Sequence, residues 1–170
     1  MSIKLDHPTF FEEFTIDKDY FDATGLEWEE LVHIYEDYVQ LIPSLEKEAE
    51  YIVSKLIDAP NVHSVRRRVK KAKHLIEKII RKGKKYKDRN ISVNNYREIV
   101  TDLIGIRVLH LFKDDWKGIH HNILNLWELS ETPQVNIRRG DYNLQQFRES
   151  ISDLNCEIIV REHGYRSVHY

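Results

Sequence analysis

Hydrophobic residues recur at helical spacing over the first long stretch of the sequence. From Trp28 to Leu56 they fall every three or four positions, and the register continues through Pro43. Because a proline inside a helix removes a hydrogen bond and clashes with the preceding turn, we expect one kinked helix or two collinear helices over about 27–57. The polar face of this helix is acidic, which is typical of a solvent-exposed surface. It would also complement the basic block that follows in the sequence, in the same chain or in a neighbouring subunit. The first 25 residues predict an arm or a short helix.

A basic strand and a basic helix are predicted after a break at residues 58–61. Residues 62–69 indicate a short strand, and residues 72–82 have the period of a helix. The inward positions of that helix are Leu75, Ile76, Ile79 and Ile80. Gly83 is well placed to cap its C-terminus.

Strands and helices are predicted to alternate over the rest of the chain. The apolar run 103–112 indicates a buried strand, and a helix capped by Asp114 or Asp115 follows it. We expect that helix to pack through Trp116, Ile119, Ile123, Leu126 and Trp127. Shorter segments predict a helix near 94–100 and strands at 135–138, 156–161 and 165–170, the last two joined through His163-Gly164. The predicted fold class is therefore α+β, a two-layer α/β arrangement.

Charge is distributed unevenly along the chain. Residues 1–60 carry 15 acidic and 4 basic side chains, whereas residues 61–89 carry 13 of the 26 basic residues and 2 acidic ones. Because the formal net charge is only −2, the basic block predicts a local anion site and not a general nucleic-acid coat. The single cysteine excludes an internal disulfide, and no signal peptide or membrane span is recognisable. We expect a single structural domain in a soluble, cytoplasmic protein.

The basic block and the strand after it carry a pattern suited to a nucleotide. On a helix, cations at three- or four-residue spacing line one stripe. The members of that stripe are Lys70 or Lys71, His74, Lys78 and Arg81 or Lys82. Asp102 precedes the apolar strand, and a carboxylate there can bring Mg²⁺ to nucleotide phosphates. The simpler interpretation of the stripe is a solvated basic face, and that of Asp102 is a helix cap or turn residue. Arg107 lies in the predicted buried strand, where an unpaired guanidinium is costly, so it needs either an ion-pair partner or a ligand.

Two further polar clusters lie nearer the end of the sequence. They consist of Arg138, Arg139, Asp141 and Tyr142, and of residues 163–170. Gly164 permits close backbone approach, and Tyr165 offers a face for base stacking, although a lone tyrosine more often belongs to a core. Neither a zinc-type histidine spacing nor a glycine-rich phosphate loop is present in the sequence, so phosphate would have to be held by side chains.

Taken in order, these motifs resemble the synthetase domain of RelA/SpoT proteins. The similar segments are Arg68-Val-Lys70 to His74-Leu-Ile-Glu-Lys78, Arg81-Lys-Gly83, Thr101-Asp102-Leu-Ile-Gly105-Ile-Arg107 and Gly164-Tyr165-Arg166-Ser167-Val168-His169. The resemblance implies a nucleotidyltransferase-like mixed sheet flanked by helices over residues 61–170, after an N-terminal helical region in residues 1–60. It also implies Mg²⁺-dependent transfer of pyrophosphate from ATP to the ribose 3′-hydroxyl of GTP or GDP. The product would be the alarmone (p)ppGpp of the stringent response, made by a small alarmone synthetase that is often a homotetramer.

The resemblance also implies roles for individual residues. The implied ATP-binding residues are Arg68, Lys70, His74, Lys78 and Arg81. Arg68 would stack on or clamp the base, and Lys70 and Lys78 would hold the phosphates. The implied acceptor residues are Tyr165, Arg138 and His169, with Tyr165 stacked on guanine. The implied catalytic residues are Asp102, Lys78 and Arg68, with Asp102 as the Mg²⁺ ligand.

Several features depart from the family pattern. His74 stands where serine is common, His163 stands where asparagine is common, and the segment 143–160 is longer than usual. The family's later Glu-x-Gln-x-Arg motif has no match, and the sequence stops at Tyr170 inside a predicted strand, which indicates a truncated fragment. We therefore expect this chain alone to bind nucleotide weakly and not to turn over, while the full-length protein does.

Two other functions stay open. A toxic branch of the same family transfers pyrophosphate to the 3′ end of tRNA, and the basic block would suit that acceptor. A non-catalytic RNA- or ribosome-binding surface is the alternative from another class. It predicts affinity that falls steeply with salt and does not depend on Asp102.

Overall fold

The computed structural model describes residues 5–86, 89–164 and 166–170, and their fold is of the α+β class, as the sequence predicts. The chain divides into two compact units. The first consists of Met1–Asp58 with His63–Leu109, and the second of Ala59–Val62 with His110–Tyr170. The division of the sequence at residue 60 stays a prediction.

Local chemistry explains where the helices of the first unit begin and end. Its elements are α1 His7–Phe14, α2 Lys18–Thr24, α3 Trp28–Leu56, β1 Ser64–Val69, α4 Ala72–Arg81, α5 Gly83–Tyr86, α6 Tyr96–Ile99 and β2 Ile104–Leu109. The Asp6 and Asp17 side chains accept hydrogen bonds from backbone N–H groups and so cap α1 and α2. Gly25, with φ of 70°, ends α2 in the left-handed conformation. The predicted N-terminal arm is therefore a pair of short helices.

Helix α3 is the long helix predicted over 27–57, and it runs through Pro43 as one element. Its buried side chains are Leu31, Ile34, Tyr35, Tyr38, Ala49 and Leu56. One face of α3 packs on the antiparallel pair β1–β2. Glu46 and Glu50 of α3 form ion pairs with Arg67 of β1. The acidic helix therefore complements part of the basic block within one chain.

Helix α4 buries the four predicted positions, Leu75, Ile76, Ile79 and Ile80. The prediction that Gly83 caps α4 is wrong. The cap position belongs to Lys82, whose N–H donates to the Lys78 carbonyl, and the chain then continues directly into α5. Gly83 is needed for packing instead, because a Cβ there would lie 2.7 Å from the Thr24 side chain.

Strand β2 is half exposed, so the prediction of a buried strand over 103–112 is wrong. Its half-buried positions are Ile104, Ile106 and Val108, and its exposed positions are Gly105, Arg107 and Leu109. Beyond the strand, Leu111 and Phe112 are 68% and 73% exposed. The alternation arises because α3 packs on one face of the pair, whereas a run of apolar residues does not reveal how many faces are covered.

The second unit contains a mixed sheet with helices on one face. Its elements are α7 Asp115–Leu126, β3 Gln134–Arg138, α8 Leu144–Ser150, β4 Glu157–Arg161 and β5 Ser167–His169. Among the described residues the strand order is β4-β3-β5, with β4 parallel and β5 antiparallel to the central strand. Strands β4 and β5, which are consecutive in the chain and joined through His163-Gly164, are therefore not neighbours in the sheet.

The core of the second unit lies on the apolar face of this sheet. It is formed by Trp116, Val135, Ile137, Phe147, Ile151 and Leu154. In α7 the predicted inner face holds for Trp116 and Ile119, but Leu126 is exposed and His120 is buried in addition. Among the residues that the structure describes, no helix combines the length and hydropathy that a membrane span requires.

Candidate active site

Three charged side chains from different elements meet at one end of the β1–β2 pair. Lys70 follows β1, Asp102 precedes β2, and Lys78 belongs to α4. Lys78 Nζ donates a hydrogen bond to Asp102 Oδ1 at 2.5 Å, and Lys70 Nζ lies 3.1 Å from Asp102 Oδ2. This set, the lysine–aspartate cluster, joins three of the predicted site residues.

Backbone hydrogen bonds bring the cluster together. The antiparallel register continues past the end of β1, where the Lys70 N–H donates to the Leu103 carbonyl at 2.9 Å. The hydroxyl of the fully buried Tyr38 donates to the Lys70 carbonyl at 2.8 Å. Burial and the nearby Tyr96 and Asp102 raise the pKa of Tyr38 to about 12, so that it stays a neutral donor. Helix α3 therefore fixes the backbone at the point from which Lys70 reaches Asp102.

The cluster combines sheltered cations with an accessible carboxylate. The side chains of Lys70 and Lys78 are 10% and 20% exposed, whereas that of Asp102 is 51% exposed. Partial burial alone would raise the pKa of Asp102. The hydrogen bonds from Lys78 and Lys70, with their positive charges, outweigh that effect and lower the pKa below its ordinary value of 3.8. Asp102 is therefore ionised at neutral pH.

A second group of cations lies on the face of the β1–β2 pair opposite α3. Arg67 points toward α3, so its neighbours Arg66 and Arg68 lie on the other face. Arg66 is directly opposite Arg107, and Arg68 is directly opposite Gly105, which has no side chain. Arg66, Arg68 and Arg107 are called here the arginine face. Among the described residues no carboxylate forms an ion pair with any of the three. Arg107 is thus exposed and needs no buried partner.

The two remaining predicted ATP-binding residues have other contacts. The His74 ring packs edge-on against Phe14, with 5.4 Å between ring centroids. Arg81 Nε donates to Glu77 Oε1 at 2.7 Å within α4. Among the described residues neither side chain forms a hydrogen bond or an ion pair with the lysine–aspartate cluster. Their roles stay predictions.

The predicted acceptor residues are only partly described. Tyr165 lies outside the described residues. Arg138 ends β3, whereas His169 pairs with Gln134 at the start of that strand. At the rise of a strand, about 3.3 Å per residue, four positions separate Arg138 from His169 by about 13 Å. The structure therefore places these two side chains at opposite ends of β3.

A third cluster lies at the end of β3, and the sequence predicted an acceptor role for its Arg138 but none for Asp141 or Arg166. Here Asp141 Oδ2 accepts hydrogen bonds from the Arg138 N–H at 3.1 Å and from Arg166 Nε at 2.7 Å. Arg166 Nη2 also donates to Asp141 Oδ1 at 2.6 Å. The Arg138 guanidinium donates to the Gly164 carbonyl. These contacts among Arg138, Asp141, Gly164 and Arg166 are called here the arginine–aspartate clamp. Because Asp141 and Arg166 lie 25 positions apart, no spacing in the sequence predicts their contact, which depends on the strand order.

The donor set limits how a metal ion could be held. The described residues contain no group of three or more His, Cys, Asp or Glu side chains placed to hold a metal. Mg²⁺ usually keeps several waters and takes one or two carboxylates together with substrate phosphates. A single half-exposed carboxylate beside two lysines fits a magnesium ion that shares its ligands with a nucleotide.

Comparison with known proteins identifies the family. Residues 67–170 match the model of the region found in RelA / SpoT proteins. A search of curated proteins finds no match to the chain. The matched region is more than half of the 170 residues and contains the lysine–aspartate cluster and the arginine–aspartate clamp. The chain therefore belongs to the RelA/SpoT family, a family of (p)ppGpp synthetases and related pyrophosphotransferases.

Proposed function

We propose that this protein is a cytoplasmic pyrophosphokinase that transfers pyrophosphate from ATP to the ribose 3′-hydroxyl of GTP or GDP, forming (p)ppGpp. One observation carries the proposal: two sheltered lysines converge on a half-exposed carboxylate inside the matched region. Transfer of phosphoryl groups needs positioning and charge neutralisation more than covalent chemistry from the protein. The lysine–aspartate cluster supplies side chains suited to both.

In the proposed mechanism, Lys70 and Lys78 bind the ATP phosphates and Asp102 contributes a ligand to Mg²⁺. The ion, when bound, would neutralise negative charge on the phosphate oxygens. In the nucleotide-free protein both lysines already contact Asp102, so a triphosphate must compete with this carboxylate for them. Without metal, Asp102 also repels the triphosphate. We therefore expect ATP and Mg²⁺ to bind together.

The arginine face supports a place for the ATP base. Arg68 and Arg107 flank the exposed Gly105, and a planar guanidinium can stack on an aromatic base. An added Cβ at Gly105 would first meet the Arg68 carbonyl, at 3.8 Å, so the surface there is open. We assign Arg68 and Arg107 to the base, and Arg138, Tyr165 and His169 to the acceptor. Because Arg138 and His169 lie about 13 Å apart along β3, they would contact different parts of one nucleotide.

The direct test is thin-layer chromatography of labelled ATP with GDP, using the natural protein that contains this sequence. We expect guanosine tetraphosphate from the wild type and none from Asp102→Ala. The matched control is Glu13→Gln, because Glu13 pairs with Lys73 of the same basic helix but lies outside the cluster. No tetraphosphate from the wild type, or full activity of Asp102→Ala, would contradict the proposal.

The same assay with tRNA in place of GDP separates the second candidate. The arginine face favours that candidate, because its exposed arginines form no ion pair with a carboxylate of the described residues and so suit a polyanion. Label transferred to tRNA and not to GDP would identify the tRNA-modifying branch. RNA binding that persists without turnover and survives Asp102→Ala would indicate a non-catalytic module.

A further inference from the structure

The arginine–aspartate clamp lies where three strand ends meet. Strands β3 and β4 are parallel and end at Arg138 and Arg161, and β5 is antiparallel to β3 and begins at Ser167. Both carboxyl ends and the start of β5 therefore share one edge of the sheet. A tight turn follows β3, in which the Asp141 N–H donates to the Arg138 carbonyl at 3.2 Å and Gly140 has φ of 85°.

The Asp141 carboxylate is the centre of the clamp. It is 13% exposed and accepts one backbone and two guanidinium hydrogen bonds, so both oxygens are occupied. The two bonds from Arg166 form a bidentate pair, which fixes the orientation of the guanidinium plane as well as its position. The hydrogen bonds from Arg166 also hold the pKa of Asp141 below its usual range.

The clamp fixes residues on both sides of Tyr165 in the chain. Arg166 is held by Asp141, and the Gly164 carbonyl accepts a hydrogen bond from Arg138. Arg138 is itself positioned through its backbone N–H by Asp141. Removal of the Asp141 charge would leave the Arg166 guanidinium without its bidentate partner.

We propose that Asp141 is a positioning residue for the acceptor nucleotide. It holds Gly164 and Arg166 in place, and Arg138, which bonds the Gly164 carbonyl through Nε, would offer its Nη groups to an acceptor phosphate. This role rests on the proposed function, because it presumes that a guanosine nucleotide binds at this edge of the sheet. Asp141 itself contacts no reacting atom.

The test compares Asp141→Asn with a variant of matched chemistry. Glu162→Gln makes the same change of charge at the same sheet edge, where Glu162 forms an exposed ion pair with Arg139. Displacement of a fluorescent GDP analogue by GDP measures acceptor affinity, and displacement of a fluorescent ATP analogue measures donor affinity. We expect Asp141→Asn to weaken GDP binding about tenfold and ATP binding less than twofold, since charge-assisted hydrogen bonds are lost only at the clamp. Glu162→Gln should change neither affinity more than twofold.

A second variant and a second readout separate positioning from general loss of structure. Arg166→Lys keeps the charge but loses the bidentate fork, so it should weaken GDP binding by an intermediate amount. Amide hydrogen exchange at Ser167 and Val168 should accelerate in Asp141→Asn, while exchange in α4 of the first unit stays as in the wild type.

Each outcome decides between the two proposals. Wild-type protein that binds no GDP would overturn the proposed function and this role with it. Wild-type protein that binds GDP while Asp141→Asn binds it equally well, or loses GDP and ATP affinity to the same extent, would overturn the positioning role alone.

Discussion

Replacement of Asp102 by asparagine should strengthen the binding of metal-free ATP. In the nucleotide-free protein Asp102 accepts contacts from Lys78 at 2.5 Å and from Lys70 at 3.1 Å, and a triphosphate needs both lysines. Asparagine keeps the shape of the side chain but removes the competing charge. If Asp102 acted only as a metal ligand, its loss would instead leave the affinity for metal-free ATP unchanged.

The size of the effect follows from the exposure of the three side chains. Ion pairs of exposed groups contribute about 0.2–1 kcal/mol each, and the upper end applies here because the lysines are largely sheltered while Asp102 is half exposed. Two contacts then give about 1–2 kcal/mol, or about a 5- to 30-fold gain in affinity for ATP.

The assay is displacement of a fluorescent ATP analogue in EDTA and again in excess Mg²⁺. In EDTA, Asp102→Asn should bind ATP more tightly than the wild type. In Mg²⁺ that advantage should disappear, because the variant has lost the carboxylate that would share the ion. Glu13→Gln, which removes a carboxylate paired with Lys73 of the same helix, should behave as the wild type in both buffers. Equal or weaker binding of metal-free ATP by Asp102→Asn would refute the competition between Asp102 and the phosphates.

Three further changes test the structure around the cluster. Lys78→Met should lower ATP affinity at least about tenfold in Mg²⁺, measured in the same assay, because a charge-assisted contact is lost; an unchanged affinity would remove Lys78 from the site. Tyr38→Phe should lower the free energy of unfolding by about 1 kcal/mol in urea titration, since the hydroxyl that binds the Lys70 carbonyl is buried; no loss would mean that water replaces the hydroxyl. The depressed pKa of Asp102 predicts that its stabilising contribution is complete above its unfolded value of 3.8 and is lost as pH falls below it. Acid titration should therefore destabilise the wild type more steeply than Asp102→Asn in that range, and parallel curves would contradict the pairing.

Elements governed by local periodicity could be predicted from the sequence. The apolar spacing in α3 and α4 reports which face is buried, and both helices lie where that spacing indicates. Lys78 and Asp102 were both predicted site residues, but their contact joins positions 24 apart and depends on the fold of the first unit, not on periodicity. The role of that pair in binding ATP stays a prediction.

Features that depend on strand order could not be predicted. The burial of β2 depends on whether one or both faces of the β1–β2 pair are covered, and the residues of β2 alone do not indicate this. The bond between Asp141 and Arg166 depends on β3 lying between β4 and β5, a choice made by pairings far apart in the chain. For the same reason the sequence did not reveal that Arg138 and His169, both predicted acceptor residues, lie at opposite ends of β3. Their roles stay predictions.

The most direct measurement is NMR of the isotope-labelled chain with ATP in which Mn²⁺ replaces Mg²⁺. Paramagnetic Mn²⁺ broadens the signals of nearby nuclei, so it reports where the metal–nucleotide complex lies without requiring turnover. Binding at the lysine–aspartate cluster predicts that the signals of Lys70, Lys78 and Asp102 broaden first, and that Mg²⁺–ATP in excess restores them. Broadening that leaves these three residues unaffected would contradict the central claim.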